Sequence, residues 1–429
     1  MPAVRKVLLA LSAAFGLIAA APSPTADSVD SIARNYVVLA LNVKRIETDW
    51  FEAPEVPADL IAEAESTQLD APAIIEKTGG LIDRLDRIPV SSDHLLAQRQ
   101  EWLRANLVSL RMQLRVKAGA KLPVRQEVQL RYGFQPDFKP LSSYDPVLAQ
   151  LDKQLPGSGT LSERIAKMRQ ATIVPADRVR IVQDAAFKEC RRRTAEHVRL
   201  PKGESVEISW IESPLFPGSN TFKGNGHSLT ELSRDYKWEL DQLLWVTCHE
   251  VYPGHHTQFA TQSAELFHKR GWPEFSLSQN YGPTIPGAEA IAEYGVGLTF
   301  PIEDRIRFER DVLYPLAGLQ MKEPDAWRAF WSARFDMLGA TASVTQAYLD
   351  GKLDKAQAEQ AFIKYRLMTP EGAAKLLPAI DQLGSYIIAS DVGWMTIDRK
   401  LRGRTQAQRW QAFQRLLEEP MTIADIEKL

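Results

Sequence analysis

The chain has 429 residues, of which 45% are hydrophobic and 25% are charged, and these proportions exclude a disordered or fibrous protein. The formal net charge is −2, and the chain carries neither a zinc-finger pattern nor a phosphate-binding loop, so we expect no nucleic-acid partner. This length is enough to bury a large core in two or three subdomains.

The first residues have the form of a secretory signal peptide. Arg5 and Lys6 precede an apolar run over residues 7–18, which ends in three alanines at 19–21. Because the run is shorter than the ~20 residues that cross a bilayer and precedes a small-residue cleavage site, cleavage is favoured over a membrane anchor. We predict a signal peptide over residues 1–21, export to the periplasm or the cell exterior, and no membrane partner after cleavage.

Helical periodicity dominates most of the remaining chain. Ser92 or Asp93 is suited to cap a helix whose leucines recur at helical spacing, and residues 177–198 resemble a charged surface helix. Residues 118–145 are rich in Pro and Gly, which predicts a loop-rich connection. We predict an N-terminal helical region over residues 22–140 and a catalytic region over residues 141–429.

One segment has the period of a strand. Residues 205–212 alternate in the manner of a strand with one buried face, and the turn-rich stretch up to residue 226 suggests a hairpin. Residues 228–231, Ser-Leu-Thr-Glu, match a capping box, so we predict a helix that starts there and runs into His249. The two cysteines, Cys190 and Cys248, are far apart in sequence and too few for a disulfide framework, so we predict buried thiols.

Three of the seven histidines lie within eight residues: His249, His255 and His256, with Glu250 beside the first. Zinc takes imidazole and carboxylate ligands, and a catalytic site has three protein ligands and an open position. In a His-Glu-x-x-His helix the second histidine stands at i+4, but here that position is Pro253.

The Pro-Gly pair changes the geometry that the second ligand requires. In a straight helix His255 would lie roughly 9 Å along the axis from His249, too far to share one ion. Pro253 removes a backbone donor and Gly254 tolerates unusual dihedral angles, so the pair can loop out and bring His255 to the missing position. We favour His255 over His256 as the ligand. The other histidine would then contact the substrate or stabilise an oxyanion.

A second helix is expected to supply the third ligand. Glu289 and Glu293 stand four residues apart after Pro286-Gly287, so they share one helix face. Such a pair supplies one ligand, which we assign to Glu289, and one partner that orients a ligating histidine.

Residues 249–256, His-Glu-Val-Tyr-Pro-Gly-His-His, resemble the signature of the bacterial domain-of-unknown-function family 885, which is grouped with zinc metallopeptidases of the gluzincin type. Residues 289–294 are similar to the family's Glu-Gly-Trp-Ala-x-Tyr motif, with Ala and Ile in place of Gly and Trp. Weaker patches surround Arg334, without the family's following histidine, and Tyr386, without its lysine. The resemblance therefore extends in patches from about residue 200 to residue 400.

The resemblance implies a mainly α, gluzincin-like fold with a small β-sheet beside the active-site helix, and hydrolysis of peptide or related amide bonds. One Zn²⁺ per chain would be held by the assigned ligands, with Glu250 as general base. Tyr386 is the first choice for stabilising the oxyanion, with His256 as another catalytic candidate. Tyr294 and Arg334 are predicted to bind substrate or to assist that stabilisation.

Two other interpretations stay open. The same metal centre can serve a small non-peptide amide or a cell-wall-type crosslink instead of a peptide. A non-catalytic exported binding protein on the same scaffold is disfavoured, because a binder has no need for Glu250 and all three histidines. The strand at residues 205–212 is a candidate for pairing with an extended peptide substrate.

Overall fold

The computed structural model describes residues 28–213 and 217–427. The predicted signal peptide, residues 1–21, lies outside them. None of the helices in this described part is both long and apolar enough to span a bilayer.

The described chain is built mainly from α-helices, which confirms the predicted fold class. The α-helices are α1 (Val29–Ile46), α2 (Ala58–Thr67), α3 (Ala71–Arg87), α4 (His94–Lys117), α5 (Val124–Tyr132), α6 (Asp145–Gln154), α7 (Leu161–Gln170), α8 (Val179–Ala195), α9 (Leu240–Glu250), α10 (His255–Gln262), α11 (Thr284–Thr299), α12 (Ile302–Phe308), α13 (Tyr314–Ala317), α14 (Pro324–Asp336), α15 (Ala340–Leu349), α16 (Lys355–Arg366), α17 (Pro370–Leu383), α18 (Tyr386–Leu401), α19 (Gln406–Glu418) and α20 (Ile423–Ile426). Short 3₁₀ turns cover Leu141–Tyr144 and Pro273–Ser276, and π-helical turns cover Ser263–His268 and Glu309–Leu313.

Local sequence signals explain several helix starts. The side chain of Asp93 accepts a hydrogen bond from the backbone N–H of Leu96, as the predicted cap of α4 requires. The helix expected near residues 177–198 is α8. The stretch at 118–145, predicted as loop-rich, also contains α5. This helix begins directly after Pro123 and ends before Gly133, whose backbone is left-handed.

Two small sheets accompany the helices. β2 (Ser205–Ile211), β3 (Gly218–Gly224) and β4 (His227–Ser233) form a sheet in the order β2-β4-β3, in which β2 is parallel and β3 antiparallel to β4. The strand predicted at residues 205–212 is confirmed as β2. The turn-rich stretch does end in a hairpin, formed by β3 and β4 across Asn225-Gly226, whereas β2 lies parallel to β4.

The helix predicted to start at residue 228 was also wrong. Residues 227–233 form β4, and the helix that carries His249 begins only at Leu240. The Ser-Leu-Thr-Glu stretch is therefore a strand whose buried face is polar: Ser228 bonds His256, and Thr230 accepts from Asn220.

The N-terminal helices form a core of their own that also contacts the later chain. Tyr36, Phe51 and Trp102 pack together, and Leu277 joins the same apolar cluster. β1 (Phe51–Glu52) pairs with β5 (Ser278–Gln279), so this region adjoins the segment just before α11. The predicted boundary at residue 140 stays a prediction.

Close packing of α18 on α11 shapes the centre of the molecule. A Cβ atom at Gly393 of α18 would lie 2.4 Å from the carbonyl oxygen of Pro286 and 2.7 Å from the Cβ of Ala290. Only glycine permits this approach of two helices. The N-terminus of α18, which begins with Tyr386, is held beside α11, which carries Glu289.

Candidate metal centre

Three side chains from three helices converge at one point. His249 lies in the last turn of α9, His255 is the first residue of α10, and Glu289 lies in α11. The two carboxylate oxygens of Glu289 stand 3.4 Å from His249 Nε2 and 3.6 Å from His255 Nε2. One ligand atom from each of the three residues lies within 4.8 Å of the others.

The Pro-Gly bend produces this convergence. α9 ends at Glu250 and α10 begins at His255, so the segment that contains the Pro-Gly pair is a four-residue connection between two helices. A Cβ atom at Gly254 would lie 1.7 Å from the carbonyl oxygen of His249, so the chain folds back on its own backbone. The peptide bond between Tyr252 and Pro253 is cis. The imidazole rings of His249 and His255 come to stand 4.7 Å apart.

The donor set fits zinc. Two imidazoles and one carboxylate are ligands that catalytic zinc sites use, and three ligands leave a position open. The Nε2 atoms of both histidines face Glu289, whereas both buried Nδ1 atoms lack a hydrogen-bond partner among the described residues. Burial raises the pKa of Glu289, but hydrogen bonds to His249 and His255 outweigh burial and hold this pKa far below its usual value. A carboxylate binds a divalent cation in its ionised form, so the low pKa of Glu289 suits a metal ligand.

Glu293 lies one helical turn beyond Glu289, on the other side of His249. Its Oε1 atom stands 3.7 Å from His249 Nδ1. Carboxylates in this position orient a ligating imidazole and raise its basicity. Burial lowers the pKa of His249, but its hydrogen bond with Glu289 and the charges of Glu293 and Glu250 raise it to about 10.

Glu250 faces the same space as the three ligands. Its side chain is 8% exposed and lines a cavity of about 700 Å³ together with His249, His255 and Glu289. Burial raises the pKa of Glu250, although the neighbouring histidines oppose the shift. A carboxylate whose pKa is raised in this way is suited to accept and return a proton near neutral pH.

The cavity draws on distant parts of the chain. Glu52, Pro54 and Trp102 of the N-terminal helical region line it, as do Pro217 and residues 218–222 of β3. Nothing in the sequence indicated these N-terminal contributions, because a tertiary contact, the β1–β5 pairing, brings residue 52 to the site. The cavity therefore spans both regions that the sequence analysis separated.

Tyr386 lines this cavity, as the oxyanion prediction requires. Burial raises the pKa of Tyr386, and the charge of Glu289 raises it further. The phenol therefore keeps its proton at neutral pH and is a hydrogen-bond donor. Its ring packs edge-on against Tyr281 at 5.9 Å.

His256 does not reach the cavity, which contradicts its predicted contact with the substrate. It is fully buried on the other side of α10, where Nδ1 stands 2.8 Å from Ser228 Oγ and Nε2 stands 2.9 Å from Glu204 Oε2. Consecutive helical residues point about 100° apart, so His255 and His256 cannot both face the ligands. Tyr252 and Arg191 also bind Glu204. Sequence analysis missed Glu204, which lies far from the motif and just before β2.

Tyr294 and Arg334 also lie away from the cavity that holds Glu250. Tyr294 is in the apolar core beside Phe413, so its predicted substrate contact is contradicted. Arg334 lines a second cavity, with Glu293, and does not adjoin the space in front of Glu250. Its predicted help to the oxyanion is therefore corrected, whereas substrate binding in the second cavity stays a prediction.

The two cysteines form a disulfide, so the prediction of buried thiols was wrong. Cys190 of α8 and Cys248 of α9 have Cα atoms 5.6 Å apart. The two helices pack side by side around an apolar cluster, which brings together positions that are 58 residues apart in sequence. The bridge anchors the residue directly before His249.

Fold and site together define a mainly helical protein with a three-residue candidate metal centre. No protein-family model matches the chain, and no curated protein does, so the resemblance to family 885 stays a prediction. A solved structure from Colwellia psychrerythraea, provisionally described as a lipoprotein, matches with a TM-score of 0.52 and 13% identity over 91% of this chain and 78% of that chain. This likeness shows the fold alone.

Two further solved structures match with lower TM-scores. One, from Shewanella oneidensis, is provisionally described as a lipoprotein of unknown function; its TM-score is 0.45, with 13% identity over 92% of this chain and 82% of that chain. The other is an M32 carboxypeptidase from Deinococcus radiodurans, with a TM-score of 0.40 and 12% identity over 90% of this chain and 87% of that chain. Both TM-scores are below 0.5, so these two matches establish neither the fold nor the function of the chain.

Proposed function

We propose that this protein is an exported hydrolase that cleaves peptide bonds with one zinc ion held by His249, His255 and Glu289. The observation that carries the proposal is the placement of Glu250 in the same cavity as these three side chains, whose ligand atoms lie within 4.8 Å of one another. A purely structural metal site closes all four positions with protein ligands. Three ligands that border an open cavity are the arrangement that catalysis requires.

Three side chains of the protein are assigned roles in the reaction beside the metal ion. Bound zinc supplies a Lewis acid that lowers the pKa of a water molecule and polarises a carbonyl oxygen. Glu250 accepts the proton of the attacking water and delivers it to the leaving amine. Tyr386 donates its phenolic hydrogen bond to the oxygen that becomes negatively charged. Glu293 faces His249 Nδ1 at 3.7 Å and favours this orientation of the imidazole through its charge.

The cavity wall supports an extended peptide as the substrate. β3 is an edge strand of its sheet, and its residues 218–222 border the cavity. An extended chain can add to such an edge through main-chain hydrogen bonds. The earlier assignment of this role to residues 205–212 is corrected, because β2 lies at the opposite edge of the sheet and does not line the cavity.

Aromatic side chains, Trp102, Phe222 and Phe275, line the same cavity and favour apolar substrate side chains. Export is supported by the basic and apolar start of the sequence. The Cys190–Cys248 disulfide supports it too, since such bonds persist in oxidising compartments.

Elemental analysis and one substitution test the proposal. Protein purified without chelator is expected to carry about one zinc per chain. Glu250→Gln is expected to keep that zinc and to lose cleavage of short peptides by roughly 10²–10⁴-fold. Glu265→Gln, at a surface residue paired with Lys269, serves as the matched control. A metal-free protein, or undiminished turnover by Glu250→Gln, would contradict the proposal.

The substrate class needs its own comparison. The panel contains short peptides and small non-peptide amides, assayed with the same zinc-loaded protein. Cleavage of the peptides is the expected result. Cleavage of the non-peptide amides alone would support zinc-dependent hydrolysis but contradict the assignment of a peptide as the substrate.

A further inference from the structure

A second cavity lies behind the candidate metal centre. It measures about 720 Å³ and adjoins the first cavity along a wall that both share, which includes Met368, Leu376 and Ile387. Glu293 lines it from α11, and the carboxylate of Glu293 also stands 3.7 Å from His249 Nδ1. The second cavity is therefore linked to a candidate zinc ligand through Glu293.

Two guanidinium groups line this cavity without a direct ion pair. Arg334 of α14 and Arg366 at the end of α16 make neither a hydrogen bond nor an ion pair with another side chain or backbone group in residues 28–213 and 217–427. Arg334 lies over the ring of Trp331, with 5.0 Å from Cζ to the centroid, so an aromatic face supports it. Burial and the like charge of Arg366 lower the pKa of Arg334 to about 9.

The other charged groups in this cavity have a partner or are exposed, and Glu293 faces His249 Nδ1 at 3.7 Å. Arg169 pairs with Glu239 at 2.7 Å, and Lys375 pairs with Glu371 at 3.0 Å. Asp391 accepts a hydrogen bond from the backbone N–H of Ala342. Asp235 and Lys237 are exposed. Arg334 and Arg366, which are both half-buried, are therefore the charged groups of this cavity that lack a direct partner and can bind an anion.

A neutral donor stands in the same cavity. The hydroxyl of Thr341 is buried and has no hydrogen-bond partner among the described residues. A hydroxyl without a partner in the protein is free to donate a hydrogen bond to a ligand or a water molecule in the cavity.

We propose that Arg334 and Arg366 bind a carboxylate of the substrate in this cavity, with the hydroxyl of Thr341 as a further donor. The planar guanidinium matches a carboxylate through two parallel hydrogen bonds. A singly charged group is favoured over phosphate, because Glu293 and Asp391 line the same cavity and oppose additional negative charge. This inference rests on the proposed peptide hydrolysis, and it makes that substrate acidic. The carboxylate comes either from the peptide's C-terminus or from an acidic side chain.

Calorimetry with three probes tests the inference. The protein is the zinc-loaded chain with Glu250→Gln, and the probes are acetyl-Ala-Leu, acetyl-Ala-Leu amide and acetyl-Ala-Glu amide. A probe with the matching carboxylate is expected to bind roughly 10–100-fold more tightly than acetyl-Ala-Leu amide. Preference for acetyl-Ala-Leu identifies the terminal carboxylate, and preference for acetyl-Ala-Glu amide identifies the side chain.

Substitutions then assign the preference to residues. Arg334→Met and Arg366→Met are each expected to abolish it, whereas Arg310→Met, at an exposed arginine paired with Asp311, keeps it. Zinc content and thermal unfolding verify that each variant is folded, and Arg334→Lys, which keeps the charge without the planar fork, is expected to retain only part of the preference.

Several outcomes would overturn the carboxylate site. These are equal affinity for the acids and the amide, no binding of any probe, or a preference that survives both methionine substitutions. Failure of the hydrolysis proposal is recognised separately. In that case no peptide is cleaved by the parent protein, while the preference for an acidic probe persists.

Discussion

The carbonyl oxygen of His249 occupies the space where a side chain at Gly254 would begin. A Cβ atom at Gly254 would stand 1.7 Å from that oxygen and 2.9 Å from the carbonyl oxygen of Cys248. The amide N–H of Gly254 also donates to the Cys248 carbonyl. The glycine of the motif therefore lets the chain fold back tightly enough for His255 to reach the place of a missing i+4 ligand.

Gly254→Ala is expected to lower zinc affinity by at least roughly tenfold, since a displacement of about 1 Å in a site disturbs ligand geometry. The overlap involves backbone atoms, so no side-chain rotation relieves it. Gly287→Ala is the matched control, because a Cβ atom there would meet nothing nearer than 3.8 Å. Competition with a chromophoric chelator measures both. Equal affinity of the two variants would contradict the role of Gly254.

The disulfide between α8 and α9 leads to a second prediction. Cys190→Ala combined with Cys248→Ala is expected to lower the free energy of unfolding by about 2–4 kcal/mol. Urea unfolding measures the loss, and a reducing agent provides the control. It should destabilise the parent by the same amount and leave the double variant unchanged. A parent protein indifferent to reduction would show that the bridge does not contribute to stability.

The convergence of His249 and His255 was predictable because it depends on local rules, whereas the approach of Glu289 depends on how α11 packs against them. Helix geometry excluded an unbroken connection, and Pro253-Gly254 indicated where the break had to fall. The same rules explain why His256 faces away. They did not indicate what His256 binds, since Glu204 belongs to a segment 52 residues earlier.

The errors arose where tertiary contacts override local patterns. In β4, Ser228 and Thr230 face inward and are satisfied by His256 and Asn220, so the buried face lacks the apolar period of a strand. The polar residues then matched a capping box. The position of Trp102 at the cavity and the disulfide between the two cysteines also depend on which helices pack together. No spacing of residues along the chain encodes that packing.

Tyr386→Phe removes the proposed donor to the oxyanion and leaves the ring in place. We expect kcat for peptide cleavage to fall by about 10²–10³-fold, while KM changes little, because the hydrogen bond forms only as charge develops. Tyr281→Phe is the control, since its hydroxyl faces Asp49 at 3.2 Å. Unchanged kcat in Tyr386→Phe would assign the role to another group.

Glu204 supports the back of α10 through an ionised carboxylate. Its oxygens bind His256 Nε2 at 2.9 Å and Arg191 at 2.8 Å, and Tyr252 donates to it as well. Burial raises the pKa of Glu204, but these hydrogen bonds outweigh burial and lower it to about 2. A folded-state pKa below the unfolded one contributes stability above the unfolded value, ~4.3, and that stability is lost as the pH falls toward 2.

Glu204→Gln is therefore expected to lower the free energy of unfolding by about 1–3 kcal/mol at pH 7. The difference from the parent should narrow as the pH falls from 5 to 3. Urea unfolding across this pH range measures the difference in the free energy of unfolding. The protein is metal-free, so that release of a bound metal ion at low pH does not contribute to the measured difference. Glu207→Gln, at an exposed position of β2, should stay within about 0.5 kcal/mol of the parent throughout. A constant gap between Glu204→Gln and the parent down to pH 3 would mean that Glu204 acts through shape rather than charge.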